Sequence, residues 1–415
     1  MAGIIPVILL LFTIVAAIHD LPIGDDDDGE YLNRYINVSN GSLGRHAGAS
    51  VNDSNITSLQ DYNRTSKFFP LFTVVRFANS PCVGTNNLAG ICYSRRECQL
   101  NGGVGFGTCA NGIGVCCVVA LSCGTTSNFN CTYFTNLGYP GSYTGGDRCT
   151  ISINKCNTNV CQVRLDFRNF NILGPDANGN CVNDFFQVSG GASPIPRICG
   201  TNTGEHMYVD FPAGTNPITL SVTANNQVST GRTWSIKVTQ ITCDSALLAP
   251  PGCLMYFTST TGQIKSFNYG TTANTATGVT LAGTREMVNL NYGVCVQMAA
   301  GYCSITWSQN PTDPYSFTVT GDTDGLDTTI LGTPAAALSG AVCNTDYIVI
   351  PHPSQGGAPL NTDRFCGNAL VPTTTSSKPF VLTVVTNADE LAAGGNPPDS
   401  GNRGFCLNFR QMVCT

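Results

Sequence analysis

Beyond Cys123, apolar and polar residues alternate in short runs along this chain. Val163-Arg-Leu-Asp-Phe, Phe185-Phe-Gln-Val, Ile218-Thr-Leu-Ser-Val and Trp234-Ser-Ile-Lys-Val show the pattern, as do Ser304-Ile-Thr-Trp, Tyr347-Ile-Val-Ile and Phe380-Val-Leu-Thr-Val-Val. A period of two puts every second side chain on one face, which is how a half-buried strand reads. Gly, Pro and Asn turns separate the runs, and this spacing predicts antiparallel sheets packed face to face. The expected fold is all-β.

Composition removes other classes. Only 11% of residues are charged, against roughly 25% in an ordinary domain. Lys and Glu are too scarce for long exposed helices. The net charge is −6, and residues 1–80 hold eight acids against five bases. No cluster of Lys and Arg large enough to neutralise a phosphate backbone stands out, so nucleic acid is not an expected partner.

Residues 1–18 read as a signal peptide, with the apolar run Ala2–Ile18 and small residues at Val15-Ala16-Ala17. No second run of that length follows, so no membrane span is expected after cleavage. Residues 19–78 read as a disordered acidic arm. It opens on Asp25-Asp26-Asp27-Asp28-Gly29-Glu30 and carries glycosylation sequons at Asn37, Asn40, Asn52, Asn55 and Asn63. Asn130-Cys131-Thr132 is a sixth sequon. Twenty-one cysteines in an exported chain read as disulfides. Zinc is set aside, because Cys-x-x-Cys pairs at metal spacing are missing.

Residues 79–119 enclose a six-cysteine unit, Cys82-x9-Cys92-x5-Cys98-x10-Cys109-x6-Cys116-Cys117. A unit this small builds little core and depends on its bridges. After it the chain repeats itself. Cys181-Val-Asn-Asp184 returns as Cys343-Asn-Thr-Asp346, and Arg197-Ile-Cys199-Gly200 as Arg364-Phe-Cys366-Gly367. The ending Trp234 to Cys243 returns as Phe405 to Cys414. Two tandem domains, 120–245 and 250–415, follow. Superposing them sets Cys161 opposite Cys303 and Cys243 opposite Cys414. Added bridges Cys161–Cys243 and Cys303–Cys414 are therefore expected, with Cys131–Cys156 as a further pair and Cys406 as the odd thiol.

The six-cysteine unit resembles the clip module of arthropod secreted proteins, which implies Cys82–Cys116, Cys92–Cys109 and Cys98–Cys117. The usual trypsin-like protease is missing from the chain. The repeat resembles the CUB domain through Cys123-Gly-Thr, Gly138-Tyr-Pro-Gly-Ser-Tyr and Cys181-x-x-Asp184. That resemblance implies two tandem sandwiches, with pairs Cys123–Cys149 and Cys181–Cys199 in the first and Cys253–Cys295 and Cys343–Cys366 in the second. Clip-like plus paired CUB is similar to the secreted CUB-domain proteins of arthropods.

No nucleophile–base or metalloprotease motif is present, and no glycine-rich phosphate loop, so catalysis is not expected. His206 reads as a structural histidine at a sheet edge and His352 as a loop residue. Tyr139, Tyr143 and Tyr208 are candidate exposed aromatics. Many CUB domains hold calcium through three loop acids, hard ligands for a hard cation. The resemblance keeps Asp184 in the first domain but sets Leu173 and Asn225/Asn226 where other acids would stand. In the second it offers Asp346, Asp322 or Asp324, and Asp389, so Ca2+ is a candidate cofactor there; turn-forming Asp beside Gly is the competing reading. The implied function is a secreted, non-enzymatic adaptor whose loops contact an extracellular protein or glycan. Modulation of a protease cascade through the clip-like unit and a structural matrix role are the alternatives. The cysteine spacing argues against chitin binding.

Overall fold

The computed structural model describes residues 76–414 apart from 147, 227–230, 275–283, 322, 324–327 and 391–400. The signal segment, the acidic run and the sequons at Asn37, Asn40, Asn52, Asn55 and Asn63 lie outside the described residues. The chain divides into Met1–Ala78 and Asn79–Thr415, and every described element belongs to the second unit. No helix among the described residues is long and apolar enough to cross a membrane.

The six-cysteine knot wraps four short strands around one helix, Arg95–Leu100. Ser94 and Glu97 close a capping box at the helix start, each side chain accepting from the other's backbone N–H. Cys116 and Cys117 are consecutive on the strand Gly114–Leu121, so their side chains leave opposite faces. One reaches Cys82 and the other Cys98, while Cys92 pairs with Cys109.

The same strand does not stop at the knot. Val119–Leu121 pair in parallel with Thr132–Phe134 of the first sandwich. Knot and sandwich therefore share one eight-stranded sheet. The boundary expected at 119 falls inside this strand.

In the first sandwich, strands Thr132–Thr135, Thr233–Thr242, Val160–Asn171 and His206–Asp210 lie side by side in that sheet. Thr125–Ser127, Arg148–Ile153, Ile218–Ala224 and Asp184–Ser189 make the facing sheet. The second sandwich pairs a six-stranded with a seven-stranded sheet. Pairing is antiparallel throughout, except at the knot junction and where each sandwich begins: Thr125–Ser127 beside Arg148–Ile153, and Cys253–Phe257 beside Asn291–Val296. The alternating apolar faces meet between the sheets. Trp234 packs against Phe134 and Tyr143 in the first core, and Trp307 against Phe409 in the second.

The buried apolar side chains of both sandwiches form one continuous cluster. Met287 of the second sandwich sets its sulfur 3.2 Å from the Cys199 N–H of the first. His206 Nε2 lies 3.0 Å from the Tyr256 carbonyl and 3.2 Å from the Tyr256 N–H. The Gln162 side chain both accepts from and donates to the main chain of Ala249 in the connecting segment. These contacts make the joint a packed interface, not a free tether.

Candidate loop-end sites of the two sandwiches

Nine disulfides hold the described chain. Besides the knot, the structure pairs Cys123–Cys149, Cys161–Cys243 and Cys181–Cys199, then Cys253–Cys295, Cys303–Cys414 and Cys343–Cys366. Cys406 is a buried free thiol that burial pushes up to about 11. The expected Cys131–Cys156 bridge is absent and both residues are free thiols. Cys131 turns toward the knot and donates to the Ala89 carbonyl, while Cys156 is exposed, its N–H donating to the Gln240 side chain.

In the first sandwich, Asp184 opens an edge strand and is fully buried. Its carboxylate accepts the N–H groups of Leu173 (3.0 Å) and Asn225 (2.9 Å). The remaining positions are filled by Arg232, also fully buried, through Nε at 2.7 Å and Nη2 at 3.0 Å. The same guanidinium donates to the carbonyls of Thr144 and Asn225. This bidentate geometry ties three loops together around one planar cation. Gly145 is required beside it: φ is +91°, and a Cβ there would meet the Asn225 carbonyl at 2.7 Å and Arg232 Nη1 at 3.2 Å. A calcium ion does not fit this domain, because Arg232 already supplies the positive charge. Sequence reading missed Arg232. Carrying the repeat two positions upstream of Trp234 and Phe405 aligns it with Arg403.

In the second sandwich, Asp346 is buried and accepts the Asn387 N–H at 2.8 Å, as Asp184 does from Asn225. Arg403 does not take the part of Arg232. It lies over the Tyr315 ring, 3.6 Å from the centroid, and donates to the Thr271 carbonyl. Asp389 is exposed in a turn in which its own N–H donates to the Asn387 side chain. The turn thus sets Asp389 two residues from the amide that holds Asp346. Asp322 and Asp324 lie outside the described residues. Among the described residues, no group of three or more His, Cys, Asp or Glu is placed to hold a metal ion.

Of the candidate aromatics, Tyr139 is exposed, and Tyr143 is half-buried with its ring edge-on to Trp234. Tyr208 is buried instead, against Tyr256 of the second sandwich, because the joint covers that part of the sheet. His206 is buried in the same joint. Burial, then the nearby Arg164 charge, lowers its imidazole to about 4. Burial raises the neighbouring Glu205 to about 7, with Lys265 pulling the other way. His352 is exposed, with Nδ1 2.9 Å from the Ser377 hydroxyl.

Residues 123–237 match the family model of the CUB domain, and residues 250–412 that of the animal CUB domain. Among solved structures, the CUB1-EGF-CUB2 domains of rat MASP-1 are 16% identical with a TM-score of 0.24, covering 69% of this chain and 99% of that one. The same segment of human MASP-1/3 is 15% identical with a TM-score of 0.23, covering 68% and 100%. The extracellular region of zebrafish Gpr126/Adgrg6 is 12% identical with a TM-score of 0.23, covering 71% and 37%. No curated protein matches the chain.

Proposed function

We propose that this chain, which carries two CUB domains in tandem, is a secreted binding adaptor that presents its loops to an extracellular protein or glycan and performs no reaction of its own. CUB domains generally mediate protein–protein interaction. The observation that carries the reading is the cross-linked frame. Knot and first domain share a sheet, nine disulfides close the fold, and the two domains share one buried apolar cluster. Loops fixed on such a frame lose little conformational entropy when they bind, which favours recognition. Chemical cross-linking and mass spectrometry of the native secreted protein tests this. Cross-links from the CUB domains to a second extracellular molecule are expected; a protein recovered only with itself would sink the adaptor reading.

A second element is a calcium ion in the second domain, held by Asp346 and Asp389 with Asp322. What favours it is Arg403, which lies over Tyr315, whereas its counterpart Arg232 seals Asp184. Carboxylate oxygens are the hard donors calcium prefers. Titration calorimetry of the intact chain is expected to show one calcium taken up, and none by Asp346→Asn. Absence of uptake by the wild-type chain removes this reading and leaves the adaptor role standing.

A further inference from the structure

The outer face of the first domain's large sheet is covered at both edges and carries charge between them. Tyr133, Lys237, Asp166 and His206 stand in direct cross-strand register across four strands. At one end the Tyr133 hydroxyl is held by the main chain of Ala89 in the knot. At the other, His206 is capped by Tyr256 of the second domain. The knot and the second domain therefore wall a strip about 14 Å across, three strand spacings. Arg164 and Arg168 lie along it on the strand Val160–Asn171, and Lys237 lies beside them on Thr233–Thr242.

The charges on this strip are not balanced from within. Asp166 is already bound to Arg164 Nε at 2.8 Å. The only other ion pair among the described residues is Asp184–Arg232, so Arg168 and Lys237 belong to none. Residues 76–243 hold ten basic and seven acidic side chains, a net of +3. Of the six acids besides Asp166, four are spent on internal tasks. Glu97 caps the knot helix, Asp176 closes a turn on Asn178 and Asn180, Asp184 meets Arg232, and Asp210 accepts from Gln162. Of the eight cations outside both ion pairs, Arg168 and Lys237 stand on this face, while Arg148 on the facing sheet and Arg197 over the Phe185 ring stand elsewhere. Arg168 is exposed and Lys237 half-buried, and both charges are felt below, Lys237 at the Cys131 thiol and Arg168 at the Tyr133 hydroxyl.

We infer that this strip is a docking surface for an extended acidic segment of a partner protein, a placement that rests on the binding role proposed above. An extended chain fits lengthwise between the walls. Its carboxylates at alternate positions repeat about every 7 Å, and Lys237 faces Asp166, two residues from Arg168, so the two unpaired cations are set about one such repeat apart along the strands. Arg168 and Lys237 supply the attraction, and the walls restrict the approach to a single chain. Complementary charge of this kind speeds encounter and selects partners.

Fluorescence anisotropy with a labelled octaglutamate peptide and the intact secreted protein tests the surface. Binding that weakens with added salt is expected, with a loss of about tenfold or more in the double variant Arg168→Glu/Lys237→Glu at an unchanged melting temperature. A second variant, Arg168→Gln/Lys237→Gln, is expected to lie between the two and guards against misfolding. Equal binding by wild type and both folded variants, or no binding, overturns the inference. So does capture of a heparin oligosaccharide with none of the peptide, which would assign the same cations to a glycan. A cross-linked partner without peptide binding would sink this surface alone; peptide binding with no partner would sink only the adaptor reading.

Discussion

Asp184 in the first domain and Asp346 in the second occupy one position of the repeat and differ in what stands next to them. Each is buried and each accepts an N–H from a residue 41 positions later, Asn225 or Asn387. Each domain also sets an arginine just ahead of its last strand, Arg232 or Arg403. In the first, that arginine closes on the aspartate with two hydrogen bonds. In the second, it lies over Tyr315. Overall charge follows the same division. Residues 76–243 total +3, while residues 244–415 hold six bases and eleven acids, a net of −5. The comparison teaches that the sandwich does not depend on how this loop end is neutralised. One domain carries its cation as a side chain and is closed at that end. The other, richer in acids, is the domain in which we propose a calcium ion.

The largest effects fall on what the two domains share. Cys161–Cys243 and Cys303–Cys414 close segments of 82 and 111 residues in equivalent places. Replacing either pair by Ala is expected to cost about 4–5 kcal/mol, nearly equally, because loop-closure entropy grows only slowly with length. Chemical denaturation of each double variant measures this. A cost confined to one pair would break the equivalence.

The next effect separates the domains. Arg232→Ala leaves Asp184 buried without its cation and is expected to cost about 3–5 kcal/mol. Arg403→Ala forfeits a ring contact and main-chain bonds and is expected to cost about 1 kcal/mol. The double replacement Arg232→Met/Asp184→Leu should recover most of the first loss, since no unpaired charge remains. Thermal melting of the three variants decides. Equal costs for the two arginines would contradict the contrast drawn between the loop ends.

How far the sequence foretold this depends on the range of each interaction. Period-two runs such as Val163 to Phe167 report on their own strand, and they marked the sheets. Cysteine and Asp positions repeat in register, so the tandem order and Asp184/Asp346 were readable. Arg232 was readable in principle, two residues ahead of an aligned motif. Tyr208 and His206 were not, because what covers an outer sheet face is the neighbouring domain, and docking leaves no local pattern. The same holds for Val119–Leu121, whose parallel pairing with Thr132–Phe134 joins knot to sandwich. Cys131 and Cys156 look like a pair by elimination, but elimination carries no distance.

The joint holds two buried titratable neighbours whose pH dependences oppose each other. The unfolded imidazole of His206 charges near pH 6.5, and the folded one only near 4. The joint is thus fully stable, in respect of this group, above pH 6.5. As pH falls toward 4 the unfolded chain binds a proton that the folded chain refuses, and stability drops by about 3 kcal/mol. Glu205 has the opposite sign: its raised value removes stability as pH rises from 4.5 to about 7. The two windows overlap, so in the wild-type protein the contributions largely cancel between pH 4.5 and 6.5, and in His206→Gln the Glu205 contribution is expected to stand alone, stability rising as pH falls through that window. Melting temperatures across pH 3.5–7.5 measure this; a profile unchanged by the substitution would locate the sensitivity elsewhere.

The smallest effect tests the closest likeness between the domains. Gln240 accepts from the Cys156 N–H and donates to the carbonyls of Phe129 and Asn154. Gln411 accepts from the Ala299 N–H and donates to the carbonyls of Ser259 and Gln297. In both, a side-chain amide stands in for a missing strand partner and satisfies three main-chain groups near the domain entrance. Gln240→Ala and Gln411→Ala should each cost about 2 kcal/mol through groups left unsatisfied. The two share no partner, so their costs should add in the double variant. Unequal costs would show that this likeness is one of geometry only. Non-additivity would show that the packed joint transmits strain from one domain entrance to the other.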